Sequence, residues 1–450
     1  MQVKDLTTGS IARNLISLSV PIISASFVQM TYNMIDMFWI GHYSVTAVAA
    51  IGAAAFFSWM SNAFSYITKV GVEVTVSQAL GEGNKSKAVD YARYGYTWSL
   101  IIGTLFAIFM MLFSRQAIGF FGLEESVEAE GAMFLRWIAP GFLLTFLNQV
   151  FSGIYNASGN SKPPFRINAV GLIANIILDP IFIYGWGPVP ELGLKGAAIA
   201  TTLSQLFVFS MFATRFFSAK RSPVQKMQFI NPFKDPNSFR LLRIGAPVGA
   251  QNLLFCFISM FVAQLAASFG KEGIAAYGVG AQFEAVTWMS AGGFSTALCA
   301  FVGQNYGAHR FDRIKKAFAY TTRVAGIIGI VVSIAFLLAG DQLFSLFVSD
   351  PYTAHVGGGY LRIIALSQLF MILEIVSSGA FNGLGKTIPP SIVNITFNLM
   401  RIPLAYLFVY HLNWGIQGVW WSISLSSVCK GIILYIWYFR YASRKIAEGV

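Results

Sequence analysis

Ser152–Pro164, SGIYNASGNSKPP, and Ser378–Pro390, SGAFNGLGKTIPP, are two copies of one pattern. Gly153, Asn156, Gly159 and Pro163 of the first return as Gly379, Asn382, Gly385 and Pro389, each 226 positions later (379 − 153). The same spacing relates Pro21 to Pro247, Gln78 to Gln304 and Gly81 to Gly307. Further on the register drifts slightly: Pro180 matches Pro403 (403 − 180 = 223), and Gly193 matches Gly415 (415 − 193 = 222). The chain is therefore a duplication. Two pseudo-symmetric membrane halves rocking about a shared site are a common transporter design. What one half carries and the other lacks is where coupling chemistry is sought.

Composition places both copies in lipid. Of the 450 residues 56% are hydrophobic and only 11% charged, against about 25% charged in a soluble domain. Apolar runs of roughly 20 residues, enough to cross about 30 Å of hydrocarbon, recur along the whole length. Twelve are predicted, near residues 14–40, 47–79, 92–114, 132–157, 165–186, 195–217, 241–268, 275–304, 317–344, 359–384, 389–410 and 417–439. The expected architecture is an all-α integral membrane protein: an N-terminal lobe over 1–217, a linker over 218–240 and a C-terminal lobe over 241–450. A lipid-facing β-barrel would need strands of about ten residues alternating in polarity, and the runs are too long and too uniform for that. The first apolar run is long, and reads as a retained insertion signal rather than a cleaved leader.

The net charge of +12 does not point to nucleic acid. Lys85, Lys87 and Arg93, then Lys162 and Arg166, then Lys220, Arg221, Lys226, Lys234, Arg240 and Arg243, then Arg310, Arg313, Lys315 and Lys316, and finally Arg440, Arg444 and Lys445 fall in alternate loops. Glu124, Glu125, Glu128 and Glu130 lie in an intervening one. This is the positive-inside pattern. It predicts a cell-membrane protein with both termini in the cytoplasm. Cys256, Cys299 and Cys429 lie in apolar spans without metal-like spacing and read as packing residues. The four His residues form no ligand-spaced cluster, and no phosphate-cradling Gly-Lys-Ser/Thr loop occurs. No enzyme and no cofactor is expected, and an ion gradient is left as the driving force. Gly is frequent, as in Gly52 to Ala55 and Ala291 to Gly293, and reads mainly as close helix packing.

Asp36, Glu73, Asp179, Glu284 and Glu374 stand in apolar spans, where a charge is costly and usually functional. Tyr32 and Asn33 precede Asp36 by four and three residues, and Asn175 precedes Asp179 by four, so each set shares a helical face. Two carboxylates and an amide are hard oxygen ligands suited to a cation. They can equally share a proton, because burial and a second carboxylate both favour the protonated acid. The alternative is that Asp179 caps a helix broken at Pro180 and Asp36 marks an interfacial helix end. The duplication bears on this choice. Asp179 corresponds to Ile402 and Asp36 to Val262, while Asn175 persists as Asn398 and Leu178 becomes Arg401. Symmetric packing does not need that asymmetry; a single ion site tolerates it.

The other three acids stay open between structure and function. Glu73 has Lys69 one turn earlier, a pair that can neutralise itself. Glu374 replaces Asn148 of the first half, with Arg401 as a partner across helices. Glu284, near Trp288 and Met289, is a candidate lining for a cavity that takes cationic aromatic compounds.

The pieces Pro21 with Asp36, Gly153-x-x-Asn156-x-x-Gly159, Asn175-x-x-x-Asp179-Pro180, Gly193-x-x-Gly196-Ala-Ala followed by Thr201, Gly379-x-x-Asn382-Gly-x-Gly385 and Asn398-x-x-Arg401-x-Pro403 together resemble the multidrug and toxic compound extrusion family. That family lies within the larger group that also holds lipid-linked-precursor flippases. The resemblance spans the whole chain. It implies twelve transmembrane helices in two pseudo-symmetric six-helix lobes, opening alternately inward and outward. It implies export of amphipathic, often cationic drugs against H+ or Na+. In the DinF-like branch the ion site is an Asp on span one, an Asn and an Asp on span five and a Thr on span six; these roles fall on Asp36, Asn175, Asp179 and Thr201, with Na+ at the first three as one option. The NorM-like branch places a Glu on span seven, where this chain has Gln251 and Asn252, so coupling in the N-terminal lobe is the simpler reading. Tyr32, Asn33, Asn156, Gln251, Glu284, Trp288, Glu374, Asn398 and Arg401 are the candidates for the substrate cavity. The expected partners are drug-like organic cations and membrane lipid, with the chain as a monomer. Rival readings are an exporter of an anionic metabolite such as a flavin nucleotide, a lipid-linked sugar flippase, and a membrane scaffold or receptor.

Overall fold

The computed structural model describes residues 4–187, 189–217, 230–348 and 350–447. The linker basic residues Lys220, Arg221 and Lys226 lie outside them. Twelve α-helices are found among the described residues: α1 Ile11–Tyr43, α2 Val45–Gly81, α3 Lys85–Gly119, α4 Glu125–Ala157, α5 Lys162–Tyr184, α6 Gly193–Phe216, α7 Pro236–Ala267, α8 Lys271–Gly307, α9 Phe311–Ser345, α10 Pro351–Gly383, α11 Ile388–Tyr406 and α12 Ile416–Ala447. All twelve are long and apolar enough to cross a membrane. Leu105, Leu112, Ile327, Val331 and Leu338 are exposed on them, as lipid-facing side chains must be.

Several helices begin earlier than the apolar runs. α3, α4 and α10 start at Lys85, Glu125 and Pro351 instead of near 92, 132 and 359. Hydropathy reports the hydrocarbon core, whereas a helix continues until its capping groups stop it. Asn84 accepts from the Lys87 amide at 3.0 Å, and Asp350 accepts from the Thr353 amide at 2.9 Å. Both are N-cap bonds that satisfy otherwise orphaned donors.

The repeated stretch that opened the sequence is a helix stop and restart. Gly159 and Gly385 adopt φ of 78° and 73°, the left-handed conformation that ends helices. The Asn160 amide reaches the Tyr155 carbonyl at 3.1 Å, and the Lys386 amide reaches Phe381 at 3.0 Å. Paired prolines then open α5 and α11, where a missing N–H costs nothing. Gly153 lies against Lys69 and Glu73 of α2, and Gly379 against Ser295 of α8. By contrast, Gly52 and Gly292 meet nothing within 4 Å, so those two do not serve the close packing expected of them.

Contacts divide the chain into two units. One holds residues 1–5 and 20–249, the other residues 6–19 and 250–450. The start of α1 thus belongs with the second half, and the start of α7 with the first. The changeovers fall beside Pro21 and Pro247, each of which removes a helical hydrogen bond.

In the second unit the Leu6 amide donates to Gln304 Oε1 at 2.9 Å. Arg313 donates to the carbonyls of Leu6, Thr8 and Gly9 at 3.2, 3.1 and 3.0 Å. In the first unit the repeat-equivalent Gln78 accepts from Arg240 at 3.1 Å, and Leu241 is fully buried. Bonds from Tyr94 and Asn237 hold the Asp235 carboxyl below its usual range. Arg313→Ala removes its three charge-assisted bonds to these carbonyls and a fourth to Asn305 Oδ1 at 3.1 Å, each worth about 1.5–3 kcal/mol. Amide exchange at Leu6 is expected to quicken by tenfold or more, read by hydrogen–deuterium exchange, with the amides of α4 unchanged.

Candidate functional site

The first unit gathers Tyr32 and Asp36 of α1, Asn175 and Asp179 of α5, and Thr201 of α6. Helix α5 packs along α6. Their contact is close because Gly171 lies against Val208 and Gly196 against the Phe182 carbonyl. Asp179 is fully buried and Asn175 nearly so. Asn175 Nδ2 donates to Asp179 Oδ1 at 2.6 Å, one helical turn apart on the same face. Pro180 follows directly and leaves the Ile176 carbonyl without its helical donor.

The Asp36 carboxyl lies within hydrogen-bonding reach of Asp179. Tyr32 stands beside both acids, and its hydroxyl meets Thr201. Asp36 Oδ1 and Asp179 Oδ2 are buried and find no protein donor. Two ionised carboxylates offer only acceptors to each other, and their repulsion grows as water is excluded. A proton or a cation between them would relieve that repulsion. The surrounding hydroxyl and amide groups supply the hard oxygens a small monovalent cation takes. Among the described residues, no three of His, Cys, Asp and Glu gather as metal ligands, so the pair stands as a two-carboxylate site.

The remaining candidates lie elsewhere. Asn33 is exposed and accepts from Gln29 at 3.0 Å, so it does not join its neighbours on α1. Glu73 is buried and accepts from Asn156 Nδ2 at 3.1 Å across α2 and α4. Lys69 attracts the same carboxylate. Asn156 and Glu73 thus form a buried hydrogen-bonded pair where the Gly153 backbone comes close. Gln251 is half-buried on α7.

In the second unit Glu284 of α8 accepts from the Tyr360 hydroxyl of α10, with Gln368 beside it. Trp288, one turn on, is 47% exposed. Glu374 does not pair with Arg401 as expected. Its partner is Lys430 of α12, Nζ to Oε2 at 3.0 Å, and Lys430 also donates to Asn398 at 3.0 Å. Arg401 turns instead to Ser426 and Ser427, at 2.8 and 3.1 Å, with its guanidinium 5.8 Å from the Phe255 ring centre. Lys430 can come straight at Glu374 as a compact charge, whereas the flat guanidinium matches two hydroxyls on one helix. The sequence had not marked Lys430 as a site residue. Its signal was a lone basic residue in the middle of the apolar stretch of α12.

The family model MatE matches residues 21–181 and 247–407, two segments that begin 226 positions apart (247 − 21). The chain is 26% identical to the probable multidrug resistance protein NorM of Thermotoga maritima, over 95% of this chain and 92% of that one. It is 24% identical to the FAD transporter of Shewanella oneidensis, over 99% and 97%. Its fold superposes with a TM-score of 0.92 on an outward-facing multidrug resistance MATE family transporter of the MOP superfamily, 24% identical and covered over 99% of both chains. A match that takes in both halves, at the spacing of their own repeat, makes this chain a member of the MatE family of membrane transporters.

Proposed function

We propose that this protein is a secondary active exporter. It carries amphipathic, often cationic, organic compounds outward in exchange for H+ or Na+ entering at Asp36 and Asp179, with Asn175, Thr201 and Tyr32 completing the site. The observation that carries the reading is the neighbouring pair of acids, Asp36 and Asp179, each with one carboxyl oxygen buried without a donor. An ion that binds one conformation more tightly shifts the balance toward it. Ion arrival between α1 and α5 alters the hydration and bend of α1 near Pro21 and favours the substrate-releasing state. The name of the Thermotoga relative supports drug-like cargo. The alternating basic loops support a cell-membrane protein with both termini cytoplasmic.

The FAD transporter relative supports a second reading, export of an anionic metabolite, with Arg401 as the cation to receive it. Arg401 is engaged by Ser426 and Ser427 and Lys430 by Glu374, which favours the cationic cargo. The two readings separate in proteoliposomes holding the purified protein, with pH and Na+ gradients imposed one at a time. Ethidium efflux driven by one gradient is the expected result. FAD efflux without ethidium efflux would select the second reading, and flux of neither would reject both.

A further inference from the structure

We propose that the second unit contains a cation site of its own, whose cation is the ammonium of Lys430. The asparagine common to both halves is the starting point. In the first unit Asn175 is bonded to a carboxylate, Asp179, that faces a second acid. In the second unit its equivalent, Asn398, points its oxygen at Lys430 Nζ, 3.0 Å away, and Glu374 Oε2 stands 3.0 Å from the same nitrogen. Each half thus sets one asparagine of the repeat in a buried polar pocket with a carboxylate, its Nδ2 donating to Asp179 in the first and its oxygen accepting from Lys430 in the second. Only the second fills it with a covalently held charge.

Three further observations fit a tethered cation. Lys430 lies at the centre of the span Ile416–Arg444 and is 4% exposed. A lysine there is costly unless oxygens replace its water. Position 208, its equivalent in the first half, is Val (430 − 222), whose methyl lies against Gly171. Position 148, equivalent to Glu374, is Asn, and it forms a neutral pair with Gln205 at 3.0 Å. At these two positions the second half thus gains an acid and a base together. The groups facing this pair are Asn398 and Arg401 of α11, and Glu284 lies beyond, near Arg401. Lys430 and Glu374 balance each other's charge without any free ion. Helix α12 thus makes the second unit independent of exchangeable cations and leaves coupling to the first.

The inference borrows the reading of the Asp36–Asp179 site, but its test measures stability and not transport, so either can fail alone. The experiment uses the full chain carrying Asp36→Asn and Asp179→Asn, to silence the first site. Lys430→Ala is added, and unfolding temperature is followed in NaCl against choline chloride. Removing the ammonium vacates a carboxylate–amide site, so NaCl is expected to raise the unfolding temperature by about 5 °C. The parent is expected not to respond. A further variant, Lys430→Met with Glu374→Gln, removes both charges and is expected to fold and to ignore Na+. A folded Lys430→Ala protein indifferent to Na+, or aggregation in both salts, overturns the proposal, since no free cation then substitutes for the ammonium. An equal Na+ response in the Met/Gln variant also overturns it.

Discussion

Asp36→Asn is expected to lower ion-driven ethidium export by tenfold or more while leaving the protein as stable as before, or more so. The two effects have opposite signs for one reason. Asp36 Oδ1 and Asp179 Oδ2 are both buried without a donor. An asparagine amide supplies that donor to Asp179, and a hydrogen bond to a charged group contributes about 1.5–3 kcal/mol. The same amide removes the negative charge that makes the site attractive to H+ or Na+. Coupling between two sites typically spans about 5- to 150-fold in affinity, and that coupling is what the variant forfeits. The measurement is initial efflux rate in proteoliposomes at matched protein, alongside unfolding temperature. If Asp36 only marked an interfacial helix end, both readings would stay near wild type. If Asp179 only capped a broken helix, Asp179→Asn would keep the export rate.

Gly245→Leu is expected to have the largest effect on folding. A Cβ at Gly245 would stand 1.7 Å from the Ile67 carbonyl oxygen. That atom belongs to the backbone of α2 and cannot rotate away. Gly71, one turn along α2, is also tightly placed against the Leu241 carbonyl, 2.4 Å from an added Cβ. The start of α7 is thus seated on α2 along two turns. Overpacking costs about 1–3 kcal/mol where side chains can yield, and more is expected where the obstacle, as at Gly245, is main chain. The expected result is loss of most monodisperse protein in detergent, seen by size-exclusion chromatography. Gly52→Ala is the control: nothing lies within 4 Å, and Ala is favoured over Gly in a helix by about 1 kcal/mol. It is expected to be neutral or mildly stabilising.

Much of this molecule was legible in the string of residues. The duplicated SGxxN…PP stretch and the recurrent apolar runs gave twelve helices, because lipid forces every backbone group into helical bonds. Acids in such runs stand out, so Asp36 and Asp179 could be named, and the i,i+4 spacing put Asn175 beside Asp179. What could not be read depends on distance in sequence. Glu374 and Lys430 are 56 positions apart (430 − 374), and Arg401 was an equally plausible partner by charge alone. Tyr360 and Glu284 meet across helices without any local pattern. The exchange of the starts of α1 and α7 between units is invisible for a further reason: Pro21 and Pro247 keep the repeat offset whichever unit their helices begin in. Hydropathy also could not locate helix ends, since caps such as Asn84 and Asp350 lie outside the apolar runs.

Ion release on substrate binding tests the central claim most directly. Purified protein in weakly buffered solution is titrated with ethidium while pH and Na+ activity are recorded, for the natural chain and for the Asp36→Asn/Asp179→Asn variant. Linkage requires that substrate weaken ion binding as much as the ion weakens substrate binding. The account predicts release of one cation, H+ or Na+, from the natural chain as ethidium binds, and none from the double variant. Ethidium binding with no ion released, or release that persists in the double variant, would contradict it.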